Sequence, residues 1–159
     1  ARTSVPVLVL DMPRQWSAWT RRQLREADDV VIVATPDLAS LRNTKNLVDA
    51  ARAGRPNDSP PHLVFNMVGL PKRPEIKLDE FSKAIDLPIT ATIGFDAAAF
   101  GNAANKGLMI GEADAKHAAV EAFRTLAALA AGRSEMRKVR RSGLALAPLL
   151  QKLTRRKAS

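Results

Sequence analysis

Residues 27–52 read ADDVVIVATPDLASLRNTKNLVDAAR, and this stretch decides the fold class. Val30 to Ala34 is a continuous apolar run rich in β-branched residues, the pattern of a strand buried on both faces. Thr35-Pro36 ends it, because proline lacks a ladder donor and is confined to strand ends and edges. Ser40 reads as the N-cap of a helix running through Ala53, with Gly54 closing it. A buried strand feeding an amphipathic helix is half of a crossover, and crossovers join parallel strands.

The same alternation continues in both directions. Upstream, Val5 to Leu10 (VPVLVL) reads as a strand closed by Asp11-Met12-Pro13. Gln15 to Ala27 follows as a helix, with Trp16, Trp19, Gln23 and Leu24 at helical spacing. Downstream, residues 54–61 (GRPNDSPP) are a loop by composition. Leu63 to Val68 (LVFNMV) is the next strand, apolar except for Asn66. Glu75 to Ile85 reads as a short helix with Leu78, Phe81 and Ile85 on one face. Ile89 to Ile93 reads as a further strand, and Asp96 to Asn105 as a short alanine-rich helix. Gly107 and Gly111 mark a turn before a long helix from Ala113 to Ala131, whose inward face would carry Val120, Phe123, Leu126 and Ala130. The expectation is an α/β fold, a parallel sheet with helices on both faces.

Composition fits that reading. The 159 residues are 46% apolar and 26% charged, which suits one soluble globular domain. There is no cysteine, so disulfides, thiolate metal sites and cysteine nucleophiles are excluded together. No apolar run reaches the length of a membrane span, and no signal peptide opens the chain. The net charge of +9 is unevenly placed. Residues 1–132 carry 16 basic and 15 acidic side chains, whereas residues 133–159 carry 9 basic and 1 acidic. The chain therefore divides into a nearly neutral domain, 1–132, and a basic amphipathic tail, 133–159.

Open parallel sheets place ligands beyond the carboxyl ends of their strands, where Asp11, Thr35, Asp37, Asn66 and Asp96 fall. Asp11 directly follows an apolar run, a place from which a carboxylate can hold magnesium through water, or simply cap a turn. Asn66 interrupts an apolar strand. Its buried amide requires a hydrogen-bond partner, which is either a base edge of a ligand or a neighbouring loop. His62 and His117 have no companion at metal-ligand spacing. No serine lies in a nucleophile elbow, and no GxxxxGK[ST] phosphate loop occurs among these residues. This chain alone is expected to hydrolyse no nucleotide.

Four segments together resemble the MinD/ParA family of deviant-Walker ATPases, and within it the CpaE/TadZ branch of type IV (Flp/Tad) pilus assembly. They are VLVLDMPRQW at 7–16, ADDVVIVATPDLASLRNTKNLVDAAR at 27–52, LVFNMV at 63–68 and DLPITATIGFDAAAFGNAANKGLMIGE at 86–112. The last is the most specific. The resemblance spans residues 5–131 and implies a P-loop NTPase-like fold, incomplete here, that binds ATP and magnesium when intact. Its phosphate loop would lie upstream of Ala1. By the resemblance, Asp11 is the metal-holding aspartate of a DxP motif shaped by Pro13, and Asn66 reads the adenine. Gly94, Phe95 and Asp96 would form the loop lying against the base. Three positions depart from the pattern. Gln15 stands where glycine is common, Met67 replaces a basic residue, and Gly94 replaces the usual proline.

The resemblance also implies a cytoplasmic protein, polar or membrane-associated, that works with pilus-assembly machinery. The loss of a central strand would leave apolar sheet edge and face, so a homodimer or other self-association is expected. The tail, with Leu149, Leu150 and Leu153 on one side and Lys152, Arg155, Arg156 and Lys157 elsewhere, suits peripheral contact with an anionic membrane, docking of a partner or non-specific contact with DNA phosphates; the alternative is a poorly ordered, solubilising terminus. A ParA-type DNA-partitioning role and a nucleotide-independent scaffold are the alternatives. The neutral charge of residues 1–132 argues against nucleic acid.

Overall fold

The structure, a computed structural model, describes residues 7–13 and 15–132. The basic tail 133–159, with its expected membrane contact, lies outside the described residues. Among the described residues three strands form the sheet: β1 (Val31–Ala34), β2 (His62–Val68) and β3 (Ile89–Gly94), in the order β1-β2-β3 and all parallel. Helix α1 (Ala18–Glu26) precedes them, and α2 (Leu38–Gly54) and α3 (Leu78–Ile85) form the connections. After β3 come α4 (Ala97–Asn105), α5 (Ile110–Ala113) and α6 (Ala118–Ala130).

The two sheet faces bury different residues because side chains alternate along each strand. On one face Ile32, Ala34, Leu63 and Phe65 meet Val48 of α2, Phe81 and Ile85 of α3, and Leu87. On the other, Val64, Ala91 and Ile93 meet Ala119 and Ala122 of α6. Ala103, Ile110 and Val120 join α4, α5 and α6 in a smaller cluster. Helices thus cover both faces of a parallel sheet, as the apolar runs required.

Four local expectations are corrected. Residues 7–10 form no strand, and Val7, Leu8, Val9 and Leu10 are all exposed. An apolar run becomes a strand only when its backbone finds a ladder, and the sheet offers these residues no neighbour. β1 is buried on one face only: Val31 and Val33 are 48% and 62% exposed. The expected helix from Ala113 divides at Asp114, and Phe123 is 43% exposed rather than inward. Val120 does face inward as expected, joined by Ala119 and Ala122.

The fourth correction concerns α2. Asp37, not Ser40, is its N-cap: an Asp37 carboxylate oxygen accepts from the Ser40 N–H at 2.8 Å. The Ser40 hydroxyl faces back and accepts from the Thr35 N–H at 3.0 Å. The Thr35 hydroxyl donates to Asp37 at 2.5 Å, and these contacts, the hydroxyl first, hold the Asp37 pKa below the ordinary carboxylate value. Asp37→Ala should cost about 1 kcal/mol at neutral pH, the usual worth of a cap. Because the folded pKa is lowered, the charge-dependent part is present above the unfolded value. It is lost as pH falls through the folded pKa, below the usual carboxylate range. Urea titrations of both proteins at pH 7 and pH 3 check this, and the gap should narrow in acid.

Candidate functional site at the strand C-termini

The end of β2 carries a bulge. Phe65 pairs with Thr92 and Val68 with Gly94, so Asn66 and Met67 together oppose Ile93. Such bulges re-aim a side chain beside a site. Met67 takes a left-handed backbone, φ +56°, and its N–H donates to the Asn66 side-chain carbonyl at 2.8 Å. Arg73 braces the bulge from the following loop, donating one guanidinium nitrogen to the Met67 carbonyl and to Glu75 at 3.0 Å. Glu75 in turn accepts from the Gly69 N–H at 2.9 Å. The Arg73 contact is the main reason the Glu75 pKa lies below its ordinary value.

The end of β3 is tied to the same place. The Phe95 N–H donates to the Val68 carbonyl at 2.8 Å, which sets residues 94–96 beside the β2 bulge. The Phe95 side chain stays partly exposed. A Cβ added at Gly94 would first meet the Val68 carbonyl oxygen at 3.9 Å, an ordinary contact, so the backbone does not demand glycine there. Asp96 caps α4, accepting from the Ala99 N–H at 2.8 Å, and its other oxygen lies 3.4 Å from His117 Nε2. The Ala99 bond first, and His117 second, lower its pKa. With both oxygens engaged inside the protein, Asp96 fixes the loop rather than presenting a carboxylate.

Asn66, Gly94, Phe95 and Asp96 are therefore brought to one end of adjacent strands, with Asp37 at the end of β1. Asp11 and Pro13 are not part of that group through any strand pairing. Both are exposed, and Asp11 makes no hydrogen bond or ion pair among the described residues. No three His, Cys, Asp or Glu side chains cluster as a metal site among the described residues. The donor set fits the base of a nucleotide: an exposed ring at Phe95 and an Asn66 amide whose NH2 remains available once its oxygen holds Met67. It does not by itself fit the phosphates, for which no cradle of backbone amides is present among the described residues. A shallow cavity of about 120 Å³, lined by Arg52, Arg55, Asp58 and Pro60, lies where the chain enters β2, away from these residues.

Arg73 and Glu75 were not singled out by the sequence, and His117 was weighed only as a metal ligand and set aside. Arg73 and Glu75 flank Pro74 in an ordinary basic loop, and nothing local marks their reach back to Met67. His117 is 21 residues from Asp96, and only the fold makes them neighbours.

No family model matches the chain, and neither does any curated protein. Among solved structures it is similar to the crystal structure of a ParA family ATPase from Chlorobium tepidum TLS, with a TM-score of 0.58 and 24% sequence identity. The match covers 70% of this chain and 47% of that one, so the chain spans about half the length of the structure it matches. That likeness shows the fold: three parallel strands and their helices are arranged as in a ParA-like P-loop NTPase. No helix among the described residues is long and apolar enough to cross a membrane.

Proposed function

We propose that this chain is the base-side half of a MinD/ParA-type ATPase of the CpaE/TadZ pilus-assembly branch, completed by a phosphate loop on a strand adjoining β1. The observation that carries this reading is the meeting of the Asn66 bulge and the Phe95 loop at the carboxyl ends of a ParA-like sheet. In this reading Phe95 lies against the base and the Asn66 NH2 donates to one of its ring nitrogens. Gly94 allows close approach, and Asp96 holds the loop. ATP supplies the transferable phosphoryl group and magnesium neutralises its charge. Asp11 is the one residue here that would reach the metal, through water. The chain without a phosphate loop is inactive.

The exposed side of β1 supports the missing neighbour. Val31 and Val33 are bare, and the apolar residues 7–10 lie unpaired. A strand between these two runs would give both a ladder, and a helix following it would cover the valines. In its absence the same surface drives self-association or homodimerisation. The partners of the intact protein are the pilus-assembly machinery and, through 133–159, a membrane surface at the cell pole. A second reading, a nucleotide-independent scaffold for the same machinery, is favoured by Met67, whose N–H occupies the Asn66 carbonyl that would otherwise face a base.

Asn66→Ala in a chain extended upstream through the phosphate loop tests the assignment. Loss of one base hydrogen bond should weaken MgATP binding by roughly three- to tenfold, read by calorimetry. An unchanged Kd would remove Asn66 from the site.

A further inference from the structure

The loop 94–96 is held by a contact that joins two helix ends. Asp96 is the N-cap of α4 and His117 the N-cap of α6. His117 Nδ1 accepts the Ala119 N–H at 3.2 Å. A ring nitrogen that accepts carries no proton, so the neutral imidazole must carry its proton on Nε2. Nε2 is the atom 3.4 Å from the Asp96 carboxylate, while the other Asp96 oxygen holds the Ala99 N–H. Phe100 packs edge-on against the imidazole, ring centroids 5.6 Å apart at 79°, which restricts ring rotation. The imidazole is mostly buried, with its side chain 15% exposed.

We infer that His117, as the Nε2–H tautomer, is the positioning residue of the base-side loop, clamping Asp96 and thereby the backbone of Gly94 and Phe95. Its relevance to a ligand rests on the nucleotide reading above; the clamp itself does not. One imidazole does two separable jobs, because Nδ1 serves α6 and Nε2 serves the loop. Asparagine at this position places a carbonyl oxygen near Nδ1 and can cap α6, but is too short to reach Asp96. Glutamine places an amide nitrogen near Nε2 and can reach Asp96, but leaves the Ala119 N–H without its acceptor.

The test uses this chain, without nucleotide, and compares it with His117→Asn and His117→Gln. Nitrogen-15 shifts of the imidazole at pH 8 should show a pyrrole-like Nε2 and a pyridine-like Nδ1. In His117→Asn, amide exchange at Phe95, Ala99 and Phe100 should quicken by about three- to tenfold, the range one hydrogen bond commands, while Ala119 keeps its protection. In His117→Gln the pattern should reverse, with Ala119 faster and the loop amides near the original rates. An Nδ1–H tautomer would overturn the inference, as would loop amides that exchange alike in the Asn variant and the parent. So would loss of protection at Ala119 and the loop together in both variants, which would mean that the ring only fills space. Because no nucleotide is added, these outcomes are independent of whether the extended protein binds ATP.

Discussion

Phe65→Ala is expected to lower the unfolding free energy by about 3–5 kcal/mol, the range for emptying a large aromatic site in a core. Phe65 is fully buried in the middle strand and meets Phe81 of α3 edge-on, ring centroids 4.9 Å apart at 88°. Such a pair is worth about 0.5–1.5 kcal/mol beyond its buried area. The position also touches everything that fixes the sheet. It pairs with Ala34 on one side and Thr92 on the other, and its neighbour Asn66 begins the bulge. Small domains hold only about 5–15 kcal/mol in total, so the variant should populate the unfolded state at neutral pH. Urea unfolding followed by circular dichroism reads the change. Phe65→Leu keeps most of the volume and should cost much less. Small losses in both variants would mean that the site collapses around the missing ring and that the core does not depend on it.

Much of this arrangement was legible in the sequence, because the period of apolar residues is a short-range signal. VVIVA and LVFNMV read as strands and form them, and Leu78, Phe81 and Ile85 marked the face of α3 that packs inward. The carboxyl ends of the strands were equally legible, and Asn66 and Asp96 do fall there. What escaped depends on neighbours. VPVLVL has the composition of a strand but no ladder to join, and composition does not report the ladder. Val31 and Val33 read as buried for the same reason: their pattern suits two covered faces, and one is bare. Ser40 has the chemistry of a cap, yet Asp37 stands three residues earlier with the longer acceptor reach. Arg73, Glu75 and His117 act across turns or between helices, where residue type alone carries no information.

The second large effect concerns ATP itself. Most of the charge that a protein must match on this ligand lies on its phosphates, and the sequence has no loop to cradle them. If Phe95 and Asn66 meet the base as proposed, one stacked ring and one hydrogen bond would by themselves leave affinity near or above roughly millimolar. If the proposal above holds, extension through a phosphate loop would add backbone donors and a lysine around the phosphates. The gain expected is on the order of a thousandfold, about 4 kcal/mol. The added strand would also join the outer edge of β1, and the helix following it would cover Val31 and Val33, so self-association should fall as nucleotide binding appears.

The most direct measurement is therefore calorimetry of MgATP against this chain and against the chain extended upstream through the phosphate loop, at equal concentration. If the ATPase reading is right, heat of binding comes from the extended chain alone, with a dissociation constant in the micromolar range or tighter. Absence of binding to the extended chain would contradict it and leave the fold serving as a scaffold. Binding of equal strength to both would contradict it as well, because the phosphates would then be held by residues already present in this chain.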